Sequence, residues 1–174
     1  MNELVYIHGL GSDINSRKFK IIEESLGKIY NCHFAFWDKN TDFPQFFYDL
    51  FSKYGKVSNL VIIGDSTGGN YAYQFRSMLR KTNNSIKLVL LNPLLDVSNR
   101  IANFPFPKEL LNSLQTITTV SDCFILRSRF DEVIDQNKVK IEENVESIFV
   151  DDSHRILKFQ EFIPLIEKYV FNKS

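Results

Sequence analysis

The chain has 174 residues, of which 44% are hydrophobic and 24% are charged, and this composition is typical of a globular protein with a substantial core. Lysine and arginine together number 21, and so do aspartate and glutamate. The net charge therefore gives no overall positive field that would attract nucleic acid or an anionic membrane surface. We predict a single domain over residues 1–174, because no repeat or linker divides the chain.

The N-terminus and the cysteines bear on the cellular setting. The first residues lead directly into an apolar run, without the basic and apolar regions of a signal peptide, and no apolar run reaches the length that spans a bilayer. Two lone cysteines, Cys32 and Cys123, fit reduced thiols better than a disulfide framework. We therefore predict a cytoplasmic protein without a membrane span.

Short apolar runs alternate with amphipathic stretches along the whole chain. The apolar runs predict strands at Leu4–His8, His33–Trp37, Leu60–Ile63, Lys87–Asn92, Cys123–Arg127 and Ser147–Val150. The amphipathic stretches predict helices at about Ser16–Tyr30, Phe43–Tyr54, Thr67–Lys81, Lys108–Gln115, Ile134–Glu142 and Leu157–Phe171. Alternating strands and helices indicate right-handed crossovers and a parallel sheet covered on both faces. The expected fold class is α/β, a three-layer sandwich around a mostly parallel sheet of six strands.

One strand-to-helix junction carries a nucleophile motif. The apolar run Leu60–Ile63 ends in Gly64-Asp65-Ser66-Thr67-Gly68 and passes directly into a predicted helix. Gly-x-Ser-x-Gly in this context predicts a nucleophile elbow, a tight turn that lifts the serine hydroxyl above the sheet. The two glycines are expected where the strand and helix backbones nearly touch. An ordinary Gly/Ser turn fits these five residues equally well, so the rest of the chain decides between the two interpretations.

A nucleophilic serine needs a base, and the chain offers three histidines. His33 lies in a predicted strand and His8 ends the first one, whereas His154 follows the last strand and precedes the last helix. Parallel sheets of this kind place their working residues beyond the carboxyl ends of the strands. This position favours His154 as the base, with a surface-loop histidine of no catalytic role as the alternative.

The acid that orients the base is expected in the loop after the fifth predicted strand. Asp131 follows that strand directly and precedes His154. Ser66, Asp131 and His154 then occur in the chain order of α/β-hydrolase triads. Glu132 is the close alternative for the acid, and Asp96, after the fourth strand, is a more distant one.

The oxyanion of a tetrahedral intermediate needs two backbone N–H donors. We assign one to Thr67, the residue after the nucleophile. The other is assigned to Leu10, in the loop after the first strand, with Gly11 as the next candidate. His8 is then expected to shape this turn and to take no part in catalysis.

With these residues placed, the chain resembles the YqiA-like group of small bacterial α/β-hydrolase esterases over most of its length. The resemblance rests on five blocks: Tyr6–Leu10 with Asn15–Lys18, Gly64–Ala72, Leu91–Pro93, Asp131–Asp135 and Ser153–Arg155. It implies a compact α/β-hydrolase fold and the same roles for Ser66, Asp131 and His154. Short activated acyl esters or acyl thioesters are the substrates that the resemblance implies.

The chain departs from that group at two places. Asp65 and Thr67 flank the nucleophile, where the group usually has serine and leucine. In the acid loop, Ser128–Phe130 stands where the group usually carries a glycine just before the acidic pair. The role of Asp65, directly beside the nucleophile, is not explained by the sequence.

The stretch between Asn92 and Cys123 is the place where lidded hydrolases usually insert their lid. Here it is too short for a lid domain, so we expect an open site. Phe104 and Phe106 lie in this stretch and either line an acyl pocket or pack against the core.

The sequence therefore predicts a carboxylesterase-type serine hydrolase that acts on a small-molecule acyl ester or thioester without a metal or other cofactor. One alternative is an amidase or acyltransferase that uses the same triad. The other is a hydrolase-fold binding module that keeps the serine but turns over no ester. No nucleic-acid partner is expected.

Overall fold

The computed structural model describes residues 2–80 and 86–172. Its strands are β1 (Asn2–Ile7), β2 (Asn31–Ala35), β3 (Asn59–Asp65), β4 (Ile86–Leu91), β5 (Thr119–Val120), β6 (Phe124–Phe130), β7 (Lys140–Ile141) and β8 (Glu146–Ser153). Its α-helices are α1 (Arg17–Leu26), α2 (Phe43–Tyr54), α3 (Thr67–Leu79) and α4 (Phe159–Phe171). Three short 3₁₀ turns lie at Val97–Asn99, Lys108–Ser113 and Gln136–Lys138.

Six strands form one sheet in the order β2-β1-β3-β4-β6-β8. Every neighbouring pair in this sheet is parallel, which confirms the predicted six-stranded parallel sheet. The short strands β5 and β7 pair separately. Because the six strands run in one direction, the loops after β1, β3, β4, β6 and β8 all begin at the same edge of the sheet, where the predicted site residues lie.

Each face of the sheet packs against two helices, because the side chains of a strand point alternately to opposite faces. On one face, alternate strand residues such as Val5 and Ile62 pack with the apolar sides of α2 and α3. On the other face, their neighbours Leu4 and Val61 pack with α1 and α4. The result is the predicted three-layer sandwich with one apolar core on each side of the sheet.

Helix starts follow local capping signals. The Ser16 side chain accepts a hydrogen bond from the Phe19 N–H at the start of α1, and the Asp42 side chain accepts one from the Gln45 N–H at the start of α2. These side chains satisfy N–H groups that have no partner within the helix. In contrast, α3 begins directly after Ser66, whose side chain makes no capping bond. The side chain of Ser66 is thus left for another partner.

Two predicted helices are wrong and a third is only partly described. Ile134–Glu142 forms a single 3₁₀ turn and the strand β7, because the Ile134 N–H is bonded to Asp131 and Ile134 pairs with Arg100 in a β-bridge. Lys108–Gln115 forms a 3₁₀ turn that ends at Ser113 and not an α-helix. The helix predicted to reach Lys81 ends at Leu79, and Lys81 lies outside the described residues.

The segment between β4 and β5 contains two 3₁₀ turns joined by extended loops. It forms no lid domain, as predicted. No helix within residues 2–80 and 86–172 is both long and apolar enough to cross a membrane.

Candidate active site

Ser66 stands in a strained turn between β3 and α3. Its φ is +52° and its ψ is −119°, a region that residues other than glycine seldom adopt. The backbone is held there by three hydrogen bonds of 2.9 Å: the Ser66 N–H donates to the Leu91 carbonyl, and the Ser66 carbonyl accepts from Gly69 and Leu94. The turn therefore has the backbone geometry of a nucleophile elbow.

The glycines of the motif allow the helix to lie directly on the strands. A Cβ on Gly68 would stand 2.2 Å from the Ile7 carbonyl oxygen and 2.3 Å from that of His8. A Cβ on Gly64 would stand 2.5 Å from the Cβ of Ala72. Any side chain at these two positions would force the first turn of α3 away from the sheet, and Ser66 would move with it.

A chain of hydrogen bonds joins the three predicted catalytic side chains. His154 Nε2 lies 2.9 Å from Ser66 Oγ, and His154 Nδ1 lies 2.9 Å from each carboxylate oxygen of Asp131. The three residues come from different strand ends: Ser66 follows β3, Asp131 follows β6 and His154 follows β8. Because the carboxylate can only accept, Nδ1 carries the proton and Nε2 is free to accept the serine hydroxyl proton.

The surroundings of Asp131 keep its carboxylate charged and fixed. Oδ1 accepts the N–H groups of Val133 and Ile134, and Oδ2 accepts the side-chain amide of Gln136, all at 2.9 Å. Burial alone would raise the pKa of Asp131, but the hydrogen bond and electrostatic attraction of His154, together with the two backbone N–H groups, outweigh it and lower the pKa from its usual value. Asp131 is thus an anion with a fixed orientation toward the imidazole.

The alternative acids lie elsewhere. Glu132 accepts the backbone N–H of His154 at 3.0 Å, so it contacts the histidine loop without touching the imidazole. Asp96 accepts the N–H of Ser98 at 2.8 Å and caps a 3₁₀ turn. Of the three candidate acids, the structure brings only Asp131 to the imidazole of His154.

Asn92 holds the loop that carries His154, a contact that the sequence did not predict. It has a φ of +42° and is fully buried. Its side-chain amide donates to the His154 carbonyl at 3.0 Å and to Ser128 Oγ at 2.8 Å, while its amide oxygen accepts the Ser128 N–H at 2.7 Å. Only the block Leu91-Asn92-Pro93 marked this residue in the sequence.

Asp65, which the sequence left unexplained, lies in a buried polar cluster beneath the elbow. Lys18 Nζ lies 2.6 Å from Asp65 Oδ1, and the Tyr6 hydroxyl donates to Asp65 Oδ2 at 3.0 Å. Burial, followed by the charge of Asp65, raises the pKa of Tyr6 well above its usual value. Asp65 therefore ties α1 to β3 and β1, and its charge is balanced by Lys18.

Replacing Lys18 by methionine is expected to lower the free energy of unfolding by about 3–5 kcal/mol, because the buried Asp65 carboxylate loses its counter-charge. The double variant Lys18→Met/Asp65→Asn is expected to recover most of this loss. Urea unfolding followed by circular dichroism measures both. Lys20→Met, at an exposed position of the same helix, is the matched control, and a Lys18→Met loss no larger than the control's would contradict the assigned pair.

The two predicted oxyanion donors belong to turns that approach Ser66. Thr67 is the first residue of α3, so its N–H has no carbonyl partner within the helix. Leu10 lies in a turn that is closed by the hydrogen bond from the Ser12 N–H to the Gly9 carbonyl at 3.2 Å. Gly9 permits the close approach of this turn, since a Cβ there would stand 3.1 Å from the Cβ of Ser66.

His8 stabilises that turn through a side-chain hydrogen bond. Its Nε2 accepts the Trp37 N–H at 3.1 Å, so Nδ1 carries the proton and donates to the Gly9 carbonyl at 2.7 Å. Burial lowers the pKa of His8, which keeps the ring neutral in this arrangement. His33, the third histidine, lies on β2 and pairs with Glu3 of β1 at 2.7 Å. It makes no hydrogen bond to Ser66, Asp131 or His154.

An open cavity of about 410 Å³ lies over the elbow, and Ser66, His154 and Leu10 all line it. Phe104 and Phe106 do not line this cavity. The Arg100 guanidinium stacks on both of their rings, at 5.0 Å and 5.4 Å from the ring centres, and Phe106 packs against the core. The structure thus separates the two predicted pocket residues from the cavity at Ser66.

No group of three or more His, Cys, Asp or Glu side chains among the described residues is placed to hold a metal ion.

No protein-family model matches the sequence, and no curated protein matches it. Solved structures do match over nearly the whole chain. Est1E from Butyrivibrio proteoclasticus, with ferulic acid bound, has a TM-score of 0.70 at 13% identity, over 99% of this chain and 90% of that chain.

Two further structures give the same result. Alpha/beta hydrolase domain-containing protein 10 from mouse has a TM-score of 0.67 at 14% identity and covers 95% of this chain and 90% of its own. An alpha/beta superfamily hydrolase from Oenococcus oeni PSU-1 has a TM-score of 0.65 at 12% identity, over 99% of this chain and 94% of that chain. At such low identity the likeness is one of fold, and the chain has the α/β-hydrolase fold.

Proposed function

We propose that the chain is a serine hydrolase that cleaves small acyl esters through an acyl-enzyme. The observation that carries this proposal is the hydrogen-bond chain from Ser66 Oγ through the His154 imidazole to the Asp131 carboxylate, with each contact at 2.9 Å. A serine at the tip of a strained elbow needs such a base to become a nucleophile at neutral pH. A serine in an ordinary turn would need no such partners.

In the proposed reaction, His154 Nε2 takes the proton of Ser66 as Oγ attacks the ester carbonyl carbon. The N–H groups of Thr67 and Leu10 receive the negative charge that develops on the carbonyl oxygen. His154 then gives its proton to the departing alcohol. The acyl group remains bound to Ser66 as an ester, which is the acyl-enzyme. A water molecule that His154 deprotonates then attacks this ester, the acyl group leaves as a carboxylic acid, and His154 returns the proton to Oγ of Ser66. Asp131 holds the imidazole in one tautomer and stabilises its positive charge.

The structural relatives support the proposed class of reaction. Among them are Est1E, whose structure holds ferulic acid, and a pyrethroid hydrolase from Sphingobium faniae JZ-2. The sequence blocks favour the YqiA-like esterases within this fold, and we keep that membership and the cytoplasmic location as predictions. An open cavity without a lid domain fits a small-molecule ester or thioester.

Two other functions use the same fold. An amidase or acyltransferase would share the triad and differ in the leaving group or the acceptor. A binding module would bind a ligand at the elbow without forming an acyl-enzyme. The complete set of contacts at Ser66 favours the enzyme, since a module that only binds has no need for a base bonded to the serine hydroxyl.

Matched substrates with one acyl group separate the esterase from the amidase and from the binding module. We expect the protein to hydrolyse 4-nitrophenyl acetate and the acetyl thioester of 4-nitrothiophenol, and to hydrolyse 4-nitroacetanilide far more slowly. The rates are measured from the release of the nitroaryl product, with the spontaneous rate subtracted. Preference for the anilide would make the protein an amidase, and no release from any of the three would favour the binding module.

A further inference from the structure

The cavity at Ser66 carries a local positive charge in a chain whose net charge is zero. Arg17 and Arg155 both line it, and both are exposed. Neither arginine belongs to any ion pair found in the described part of the chain. Asp65 is the one acidic residue in the lining, and Lys18 already balances its charge at 2.6 Å. The lining therefore keeps two positive charges that form no ion pair with any carboxylate of the described residues.

Arg17 is held in place by neutral groups. Its guanidinium donates to the carbonyls of Leu157 and Ile156, each at 2.7 Å, and to that of Arg155 at 3.4 Å. These three bonds orient the guanidinium toward the histidine loop without cancelling its charge. These bonds use at most three of its five N–H groups, so N–H donors remain for an anion.

Other groups around the cavity also favour an anion. Ser16, the N-cap of α1, lines the cavity together with Arg17, the first residue of that helix. The α1 helix has ten residues, and its positive end faces the same space. Ser12 adds a second hydroxyl donor to the lining. The helix end and the two guanidinium groups make the lining of the cavity positive, and the two hydroxyl groups add hydrogen-bond donors.

The oxyanion of the proposed reaction does not account for these positive charges. Its charge goes to the backbone N–H groups of Thr67 and Leu10, which leaves both guanidinium groups without an anionic partner. A neutral ester in the cavity would displace water from these charges and offer them only uncharged acceptors, which form weaker hydrogen bonds. An ester with a second, negatively charged group would gain charge-assisted bonds instead.

We propose that the substrate of this site is an ester that carries a carboxylate away from the reacting carbonyl, and that Arg17 and Arg155 bind that carboxylate. This inference rests on the proposed ester hydrolysis at Ser66. It narrows the substrate class from small acyl esters in general to anionic ones. The planar fork of arginine suits the two oxygens of a carboxylate better than a lysine would.

Two pairs of esters test the inference, because the carboxylate could lie on either side of the ester bond. The first pair is mono-4-nitrophenyl adipate and its methyl ester, which differ only in a charge on the acyl group. The second pair is 4-acetoxybenzoate and its methyl ester, which differ in a charge on the leaving group. We define the charge preference as the ratio of kcat/KM for the anionic ester to that for its neutral partner, each divided by its spontaneous rate.

We expect the unmodified protein to show a charge preference of about 10 or more in at least one pair, since a hydrogen bond to a charged group is worth roughly tenfold or more in binding. Arg17→Gln and Arg155→Gln are each expected to lower that preference about tenfold. If Arg17→Gln also loosens the histidine loop, both esters of a pair slow together and their ratio still reports the charge. Raising the salt concentration is expected to lower the preference as well.

Arg80→Gln is the matched control, because Arg80 follows the last residue of α3, at the opposite end of the helix from Ser66, and pairs with Asp122. It is expected to leave the charge preference unchanged. A preference near one in both pairs, or one that survives both cavity variants, overturns the inference while ester hydrolysis stands. If the unmodified protein hydrolyses none of the four esters, the proposed function itself fails.

Discussion

Replacing Ser66 by alanine is expected to lower kcat for 4-nitrophenyl acetate by roughly 10⁴- to 10⁶-fold, the range found when a triad serine is removed. The variant loses the atom that forms the acyl-enzyme, and the backbone donors at Thr67 and Leu10 cannot replace it. Its fold is expected to persist, because the only side-chain hydrogen bond found for Ser66 in the described residues is with His154. Steady-state release of 4-nitrophenol measures the effect.

Ser77→Ala is the matched control for this variant. Ser77 lies on α3 and its hydroxyl bonds the Tyr73 carbonyl at an exposed position, so its loss is expected to leave kcat within about twofold, as surface substitutions usually do little. Circular dichroism and thermal unfolding show whether both variants keep the fold. If Ser66→Ala retained a kcat close to that of the control, Ser66 would not be the nucleophile.

The Asp131→Asn substitution is expected to lower kcat by about 10⁴-fold, because a neutral amide neither fixes the catalytic tautomer of His154 nor stabilises its positive charge. Glu132→Gln is the natural comparison, since the two carboxyl groups are adjacent in sequence. Glu132 bonds only the backbone N–H of His154 at 3.0 Å, and a glutamine oxygen can accept the same bond. We expect Glu132→Gln to cost less than about tenfold.

Measuring kcat for both variants against 4-nitrophenyl acetate decides which carboxylate serves the base. Equal losses in the two variants would mean that the acid is misassigned or that the whole loop has moved. A larger loss in Glu132→Gln would reverse the assignment. Thermal unfolding of each variant separates a catalytic effect from a loss of the buried bonds that Asp131 makes to Val133, Ile134 and Gln136.

Local patterns predicted much of this architecture. The helix Phe43–Tyr54 has the predicted bounds, because its aromatic residues recur at helical spacing after a capping aspartate. All six predicted strands belong to the parallel sheet, although β2 begins at Asn31 and ends at Ala35, two residues earlier than predicted at each end. These elements depend on residues that are close together in the chain, so the sequence pattern carries them.

The remaining features depend on contacts between distant residues. The partners of Asp65 are Lys18, 47 residues away, and Tyr6, 59 residues away, and nothing near Asp65 in the sequence indicates either. The stretch Ile134–Glu142 has helical composition, but its backbone is bonded instead to Asp131 and to the segment at Arg100. Tertiary contacts outweigh helix propensity here.

The candidate site could be predicted from the sequence only in part. Ser66, Asp131 and His154 each follow a strand that the sequence predicts, so their common edge could be anticipated without any knowledge of distances. The sequence favoured Asp131 over Glu132 only by one position, and the contacts of the two carboxylates, with the imidazole for Asp131 and with the backbone N–H of His154 for Glu132, depend on the folded chain. The separation of Phe104 and Phe106 from the cavity depends on Arg100, whose contacts with both rings no local pattern encodes.

Covalent labelling of the intact protein with a fluorophosphonate tests the central claim most directly, because the reagent modifies only a serine that its own active site activates. We predict one adduct per chain, located on Ser66 by peptide mass spectrometry and formed far more slowly in His154→Ala. Labelling of another residue, equal labelling in His154→Ala, or no adduct on the folded protein would contradict the proposed nucleophile and its base.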